Sequence, residues 1–291
     1  MPVYTRTYRN YEGEFRRFAR WLLIVEQEIR ILVKSKIFLL LGFAAFMHTL
    51  LRLFQIVAYD VIMQDPNHPL AVPLQQVAFL VLREETFFDF LRIQSPLVLL
   101  ACLYAGSGMI CNDFRNNLME VYFSKPITWR DYALGKVLSL ILIGLAFTAV
   151  PGTILVILHN MLAPGWDTFN TTFWWPLEIF VFSLVIVLPS ALSVLACSAL
   201  LQSQNYAAIA VFMIAVANGA LGTLLAVFLR DKNYLVVSFP MAVNRIGQAI
   251  FHQQELFFTL HWGWALSYVV AVSATCLYIV FRRVRRAECA L

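Results

Sequence analysis

The chain has 291 residues, of which 60% are apolar and only 13% charged, and its mean hydropathy is +0.72. Soluble globular domains run nearer a quarter charged, so this composition excludes one and points to a polytopic membrane protein. A net charge of +5 and a pI of about 9.0 would suit a nucleic-acid binder, but the basic residues cluster along the chain as membrane topology requires, which argues against a nucleic-acid partner.

Residues 1–13 are polar and tyrosine-rich and read as irregular. No cleavable signal peptide is expected, because the start is charged and the first apolar run lacks a small-residue cleavage site. From Glu14 to Lys36, Phe15, Phe18, Leu22, Ile29 and Val33 recur at helical spacing, with Arg16, Arg17, Arg20, Gln27 and Lys34 opposite. That pattern predicts an amphipathic helix in the membrane interface, with Glu26 intruding on its apolar stripe. The competing reading is a helical extension of the first span.

Span one runs from about Ile37 to Tyr59, long enough to cross ~30 Å of hydrocarbon. It contains His48, which has no obvious ligand partner, and Arg52, close enough to the end to snorkel outward. Asp65-Pro66-Asn67-His68-Pro69 then reads as a rigid turn, and Val77, Leu80, Val81, Phe87, Phe88 and Leu91 as an interfacial helix before span two, about Ile93 to Cys111. Asp60, Asp65, His68, Glu84 and Glu85 match no metal-ligand spacing and read as solvated acids. Span two carries a small-residue patch, Ala101, Ala105, Gly106, Ser107 and Gly108, suited to close helix approach.

The stretch from Asn112 to Lys136 separates two long apolar runs, yet keeps a greasy centre, Leu118-Met119 and Val121-Tyr122-Phe123. A connector needs only solubility, so these residues suggest a docking surface; the competing reading is a solvated connector. Pro126 breaks the chain, after which Thr128 and Asp131 have the spacing of a capping box. Span three follows, about Ala133 to Leu158, with Pro151-Gly152 expected to kink or break it. Pro164-Gly165 is the next turn. Trp129, Tyr132, Trp174, Trp175, Trp262 and Trp264 near span ends have the character of an aromatic belt.

Span four, about Ile179 to Leu201 with Pro189 inside, joins span five, about Tyr206 to Phe228, through a tight polar hairpin. Asn218, Gly219 and Gly222 give span five a small and polar face, read first as helix packing and second as part of a translocation lining. After Ser238-Phe239-Pro240, the residues Met241, Val243, Ile246, Ile250 and Phe251 predict a second interfacial or re-entrant helix. Span six, about Trp262 to Phe281, ends in Arg282, Arg283, Arg285 and Arg286.

Six spans put both termini and the central loop on one side of the membrane. Sixteen of the 22 basic residues fall on that side and six on the other, so the positive-inside rule predicts a cytoplasmic location for both termini. Cys102, Cys197 and Cys276 lie in apolar runs and Cys111 and Cys289 outside them; without Cys-x-x-Cys or Cys/His spacing, neither a disulfide framework nor a structural zinc is expected. The sequence holds no His-Glu-x-x-His, Gly-x-Ser-x-Gly or phosphate-loop motif, so no catalytic residue, cofactor site or metal site is assigned.

The central loop resembles that of ABC-2 type permeases, which export or extract substrates with a separate ATPase. The matching residues are Met119-Glu120, Val121-Tyr122-Phe123, Ser124-Lys125-Pro126-Ile127-Thr128, Tyr132 and Gly135-Lys136; where the family commonly has Gly-Thr, this chain has Asn117-Leu118. The resemblance extends over nearly the whole chain. It implies one transmembrane permease domain over residues 1–291, all-α, with six transmembrane helices. Residues 14–36 would be the interfacial helix, 112–131 a cytoplasmic coupling loop and 229–261 an extracytoplasmic helical loop. It further implies that Glu120, Val121, Tyr122, Phe123, Ser124, Lys125 and Pro126 engage the ATPase, that two ATPase copies bind the ATP and Mg, and that two permeases pair in the plasma (inner) membrane. A membrane anchoring subunit that docks a soluble partner, and a secondary carrier, are the alternatives left by the residues alone.

Overall fold

The structure, a computed structural model, describes residues 19–63, 81–125, 127–163, 166–253 and 261–290. All the regular secondary structure of these residues is helical, and six helices among them are long and apolar enough to cross a membrane: Lys36–Ile62, Glu85–Arg115, Trp129–Leu162, Phe169–Leu200, Gln204–Phe228 and Trp262–Cys289. In chain order the elements are α1 (Arg20–Val33), α2 (Lys36–Val57, continued by a π-helical turn, Ala58–Met63), α3 (Glu84–Gly106), α4 (Cys111–Arg115) and α5 (Leu118–Phe123). There follow α6 (Trp129–Phe147), α7 (Ala149–Leu162), α8 (Trp166–Thr172), α9 (Trp175–Leu200), α10 (Gln204–Phe228), a 3₁₀ turn (Lys232–Val237), α11 (Phe239–Ile250) and α12 (Trp262–Ala290).

Helix α9 is the centre of the bundle. In its apolar stretch 67% of the residues are buried, against 11% in α10, and it packs on α3, α6, α7, α10, α11 and α12. Several hydroxyls inside the spans are satisfied by their own helix, as where Ser190 donates to Ile186 O (2.7 Å) and Ser139 to Gly135 O (2.7 Å), because hydrocarbon offers no water as a partner. The small-residue patch of span two turns inward: Ala101, Ala105 and Ser107 are buried, and Ser107 O accepts from Ser198 Oγ of α9 (2.8 Å).

Span three breaks where its proline predicts. Pro151 has no N–H to offer the carbonyl of Phe147, four residues back, and the chain leaves helical geometry at Thr148 (φ −119°, ψ −70°) between α6 and α7. The freed Phe147 carbonyl accepts from Gln94 Nε2 of α3 (3.0 Å). Gln94 Oε1 in turn bonds His48 Nδ1 of α2 (2.7 Å), so that nitrogen is the donor, and the His48 ring stacks on Phe90 at 5.1 Å. One missing hydrogen therefore explains why a glutamine and a histidine sit in hydrocarbon.

Several expectations are corrected. Phe87, Phe88 and Leu91 are buried in the first turns of α3, continuous with span two, rather than in a separate interfacial helix; Val81 precedes that helix, and Val77, Leu80, Asp65, His68 and the 65–69 turn lie outside the described residues. Arg52 does not snorkel: it is 7% exposed and donates to Gln55 Oε1 (2.8 Å). Asp60 is buried rather than solvated, bonded to His159 Nδ1 (2.7 Å). The Trp175 ring, half-buried at the start of α9, stacks on that of His159 at 5.9 Å. In α1, Leu22 and Val33 of the predicted stripe are exposed, while Ile24, Val25 and Leu32 are buried; residues 14–18 lie outside the described residues, and Glu26 faces out to pair with Arg30 (2.7 Å).

Candidate functional site: the central loop and the ions beneath it

The loop between spans two and three is held by short-range chemistry. Ser198 Oγ of α9 accepts from the N–H groups of Ile110 and Cys111 (both 3.1 Å) and so caps the start of α4. Asn112 Nδ2 reaches Gln204 Oε1 at the foot of α10 (3.3 Å). Between α4 and α5, Asn117 sits in the left-handed region at φ 54°, a conformation that glycine adopts freely and asparagine tolerates best among side-chain-bearing residues. The Asn117 that stands in place of the glycine in the resembling motif is thus compatible with the turn it must make. At the far end, Thr128 Oγ1 accepts from Asp131 N (3.3 Å) and Asp131 Oδ2 accepts from Thr128 N (3.1 Å), the reciprocal capping box that starts α6.

Lys136, two turns into α6, lies under this loop with 1% of its side chain exposed. Its ammonium has three protons and three acceptors: Glu28 Oε1 of α1 at 2.6 Å, Asp113 Oδ2 of α4 at 2.7 Å and the carbonyl of Met109 at 2.9 Å. Asp113 Oδ2 also accepts from Tyr132 Oη (2.6 Å), and the ammonium lies 5.3 Å from the Tyr132 ring centroid. Gly135 makes the arrangement possible. A Cβ there would come within 2.8 Å of Ile24 Cβ and 3.1 Å of the Trp21 carbonyl, so only a glycine lets α1 lie this close across α6 and carry Glu28 to the lysine.

The loop residues named from the sequence divide between two faces. Tyr122 and Phe123 turn inward, half-buried, their rings 5.3 and 6.3 Å from that of Tyr132; burial pushes the Tyr122 phenol above its ordinary pKa, with Lys136 pulling it partly back. Val121 is 53% exposed and Leu118, one turn before it, 36% exposed. Glu120, Ser124 and Lys125 are also exposed, Ser124 donating to Val121 O (2.9 Å); Pro126 lies outside the described residues. The apolar trio is therefore not one outward surface. Nor does Tyr132 belong to an aromatic belt, since it is fully buried.

Sequence reasoning missed the ion cluster. Its signal was a lysine four residues after a tyrosine in an apolar span, and Glu28 midway between Ile24 and Leu32 on the face of α1 that is buried. The residues named on span five lie at the opposite end of the bundle. Asn218 donates to Val237 O (3.2 Å) and Tyr268 Oη (2.8 Å) and accepts from Phe239 N (2.5 Å). Gly222 faces Ser238, whose backbone nitrogen would lie 2.8 Å from an added Cβ, and nothing lies within 4 Å of one at Gly219. Asn218 and Gly222 thus tie α10 to the 3₁₀ turn and α11. Among the described residues no cluster of His, Cys, Asp or Glu is placed to hold a metal.

An all-helical bundle of six apolar spans, with an ordered and ion-anchored loop between the second and third, defines a multi-pass membrane protein. Residues 22–279 match the family described as ABC-2 family transporter protein, and the chain belongs to that family. It is thus a membrane component of transport, not itself catalytic. A search of curated protein sequences found no match.

Proposed function

We propose that this chain is the permease subunit of an ATP-driven transporter, two copies forming the pathway and each coupled through its central loop to a separate ATPase that binds ATP and Mg. In this reading the loop and both termini face the cytoplasm, as the basic-residue bias requires, and the membrane is the plasma (inner) membrane. One observation carries it: the loop presents Leu118 and Val121 outward from α5 while Tyr122 and Phe123 rest on a seat of Tyr132 and the paired Lys136. An apolar knob on a rigid base suits a docking element, because a push on it is passed to the ends of spans two and three and to α1 instead of being lost in loop motion. A solvated connector has no use for such a base.

Val121→Asp tests the reading at its surface. A carboxylate in a desolvated contact costs about 2 kcal/mol or more, so the variant should insert normally but lose its ATPase on purification in mild detergent, and with it transport. Glu120→Ala and Lys125→Ala should do less, since charges at an exposed rim act more on association rate than on affinity. A Val121→Asp protein that keeps its ATPase and transports normally returns the loop to a solvated connector. Tyr122 is a less clean probe, because its ring also packs against Tyr132.

A further inference from the structure

Between the first turn of α6 and the last turns of α12 lies a cleft of about 540 Å³, walled by Trp129, Tyr278 and Phe281 and rimmed by Arg282, Arg285 and Arg286. The Trp129 ring meets Phe281 edge-on at 5.7 Å, which fixes the apolar wall, and the Arg282 guanidinium lies 5.9 Å from the Tyr278 centroid. Arg283, at the intervening position, points elsewhere, over Phe114 at 5.0 Å. Helical spacing thus gathers three of the four arginines on the cleft.

The cleft is lined by three arginines and no carboxylate. Glu288, the one acid of α12, is engaged with the Trp129 N–H (3.3 Å), and among the described residues no ion pair joins Arg282, Arg285 or Arg286 to a carboxylate. Further along the same face of α12, Ser267, Ala271 and Ala274 are exposed. The surface leading from the cleft into the apolar length of span six is therefore low and uncovered.

We propose that this cleft binds an anionic phospholipid, its phosphate between the guanidinium groups and its acyl chains along α12. Guanidinium forks match phosphate oxygens in pairs. Basic pockets at the ends of transmembrane helices select anionic headgroups, and Trp129 and Tyr278 have the amphipathic rings found at headgroup depth. A soluble partner could use the arginines but would gain nothing from a groove that continues into hydrocarbon.

The test is native mass spectrometry and thermal unfolding of the purified full chain in a neutral detergent, titrated with phosphatidylglycerol, phosphatidylcholine or inorganic phosphate. Phosphatidylglycerol should give retained adducts and a higher Tm; phosphatidylcholine and phosphate should give neither. Arg285→Gln should weaken phosphatidylglycerol binding about fivefold, the factor one basic residue contributes near an anionic surface, and R282Q/R285Q/R286Q should abolish it. Arg115→Gln, an exposed arginine outside the cleft, should leave it unchanged. If the triple variant does not insert, the three single variants carry the comparison. Adducts that persist undiminished in the variants overturn the proposal, as does an equal response to phosphate alone, which would mark a free-anion site. Loss of a co-purifying protein with lipid binding intact would assign the arginines to a protein contact and overturn it as well.

Discussion

Removing the ammonium of Lys136 would leave Glu28 and Asp113 facing each other in a largely buried site. A buried ion pair adds little to stability over an apolar replacement, but deleting one partner strands the other, at about 3–5 kcal/mol. Lys136→Met should therefore lower the thermal midpoint of the detergent-solubilised protein sharply, and adding Glu28→Gln and Asp113→Asn should recover much of that loss; a triple variant no more stable than Lys136→Met would deny that charge is the cause. Single residues were partly legible in the sequence. The Thr128–Asp131 box could be read from spacing, because both partners lie within one turn. The partners of Lys136 could not, because Glu28 comes from a helix 108 positions away, and only folding brings it there.

At the scale of elements, α1 is positioned by one missing methyl group. Gly135→Val would drive a branched side chain into Ile24 and the Trp21 carbonyl, and overpacking of this kind costs on the order of 1–3 kcal/mol. Since the backbone carbonyl cannot move alone, the expected outcome is that α1 lifts from α6. Trypsin should then cut faster at Arg20 and Arg30, with a lower thermal midpoint, while the far end of the bundle keeps its protection. Unchanged cleavage would mean that α1 is held by lipid rather than by its seat on α6. Most elements could be predicted, since an apolar run of span length can only be a helix in a bilayer, and Pro151 marked the break between α6 and α7. What could not be read was which side of an element faces inward: α1 buries Ile24 and Leu32 rather than Leu22 and Val33, because its neighbour is a protein helix on one side and open on the other.

The molecule as a whole leaves one cysteine exposed, Cys289, with Cys102 and Cys111 buried and Cys197 and Cys276 half-buried, which makes orientation testable without engineering. If the loop and termini face the cytoplasm, a membrane-impermeant maleimide should label Cys289 only after permeabilisation; ready labelling of intact cells would reverse the proposed topology. The membrane class, the six spans, the helix before the last span and the break in the third could all be read from residue order, because hydrocarbon leaves a chain no other way to satisfy its backbone and proline no way to donate. It took the packed bundle to show that α9 is the core, that His48, Gln94, Asp60 and Lys136 are each partnered, and that the central loop exposes Val121 while half-burying Tyr122. Those facts rest on pairs far apart in the chain, whose polar groups find each other because burial without a partner would cost more than the fold could bear.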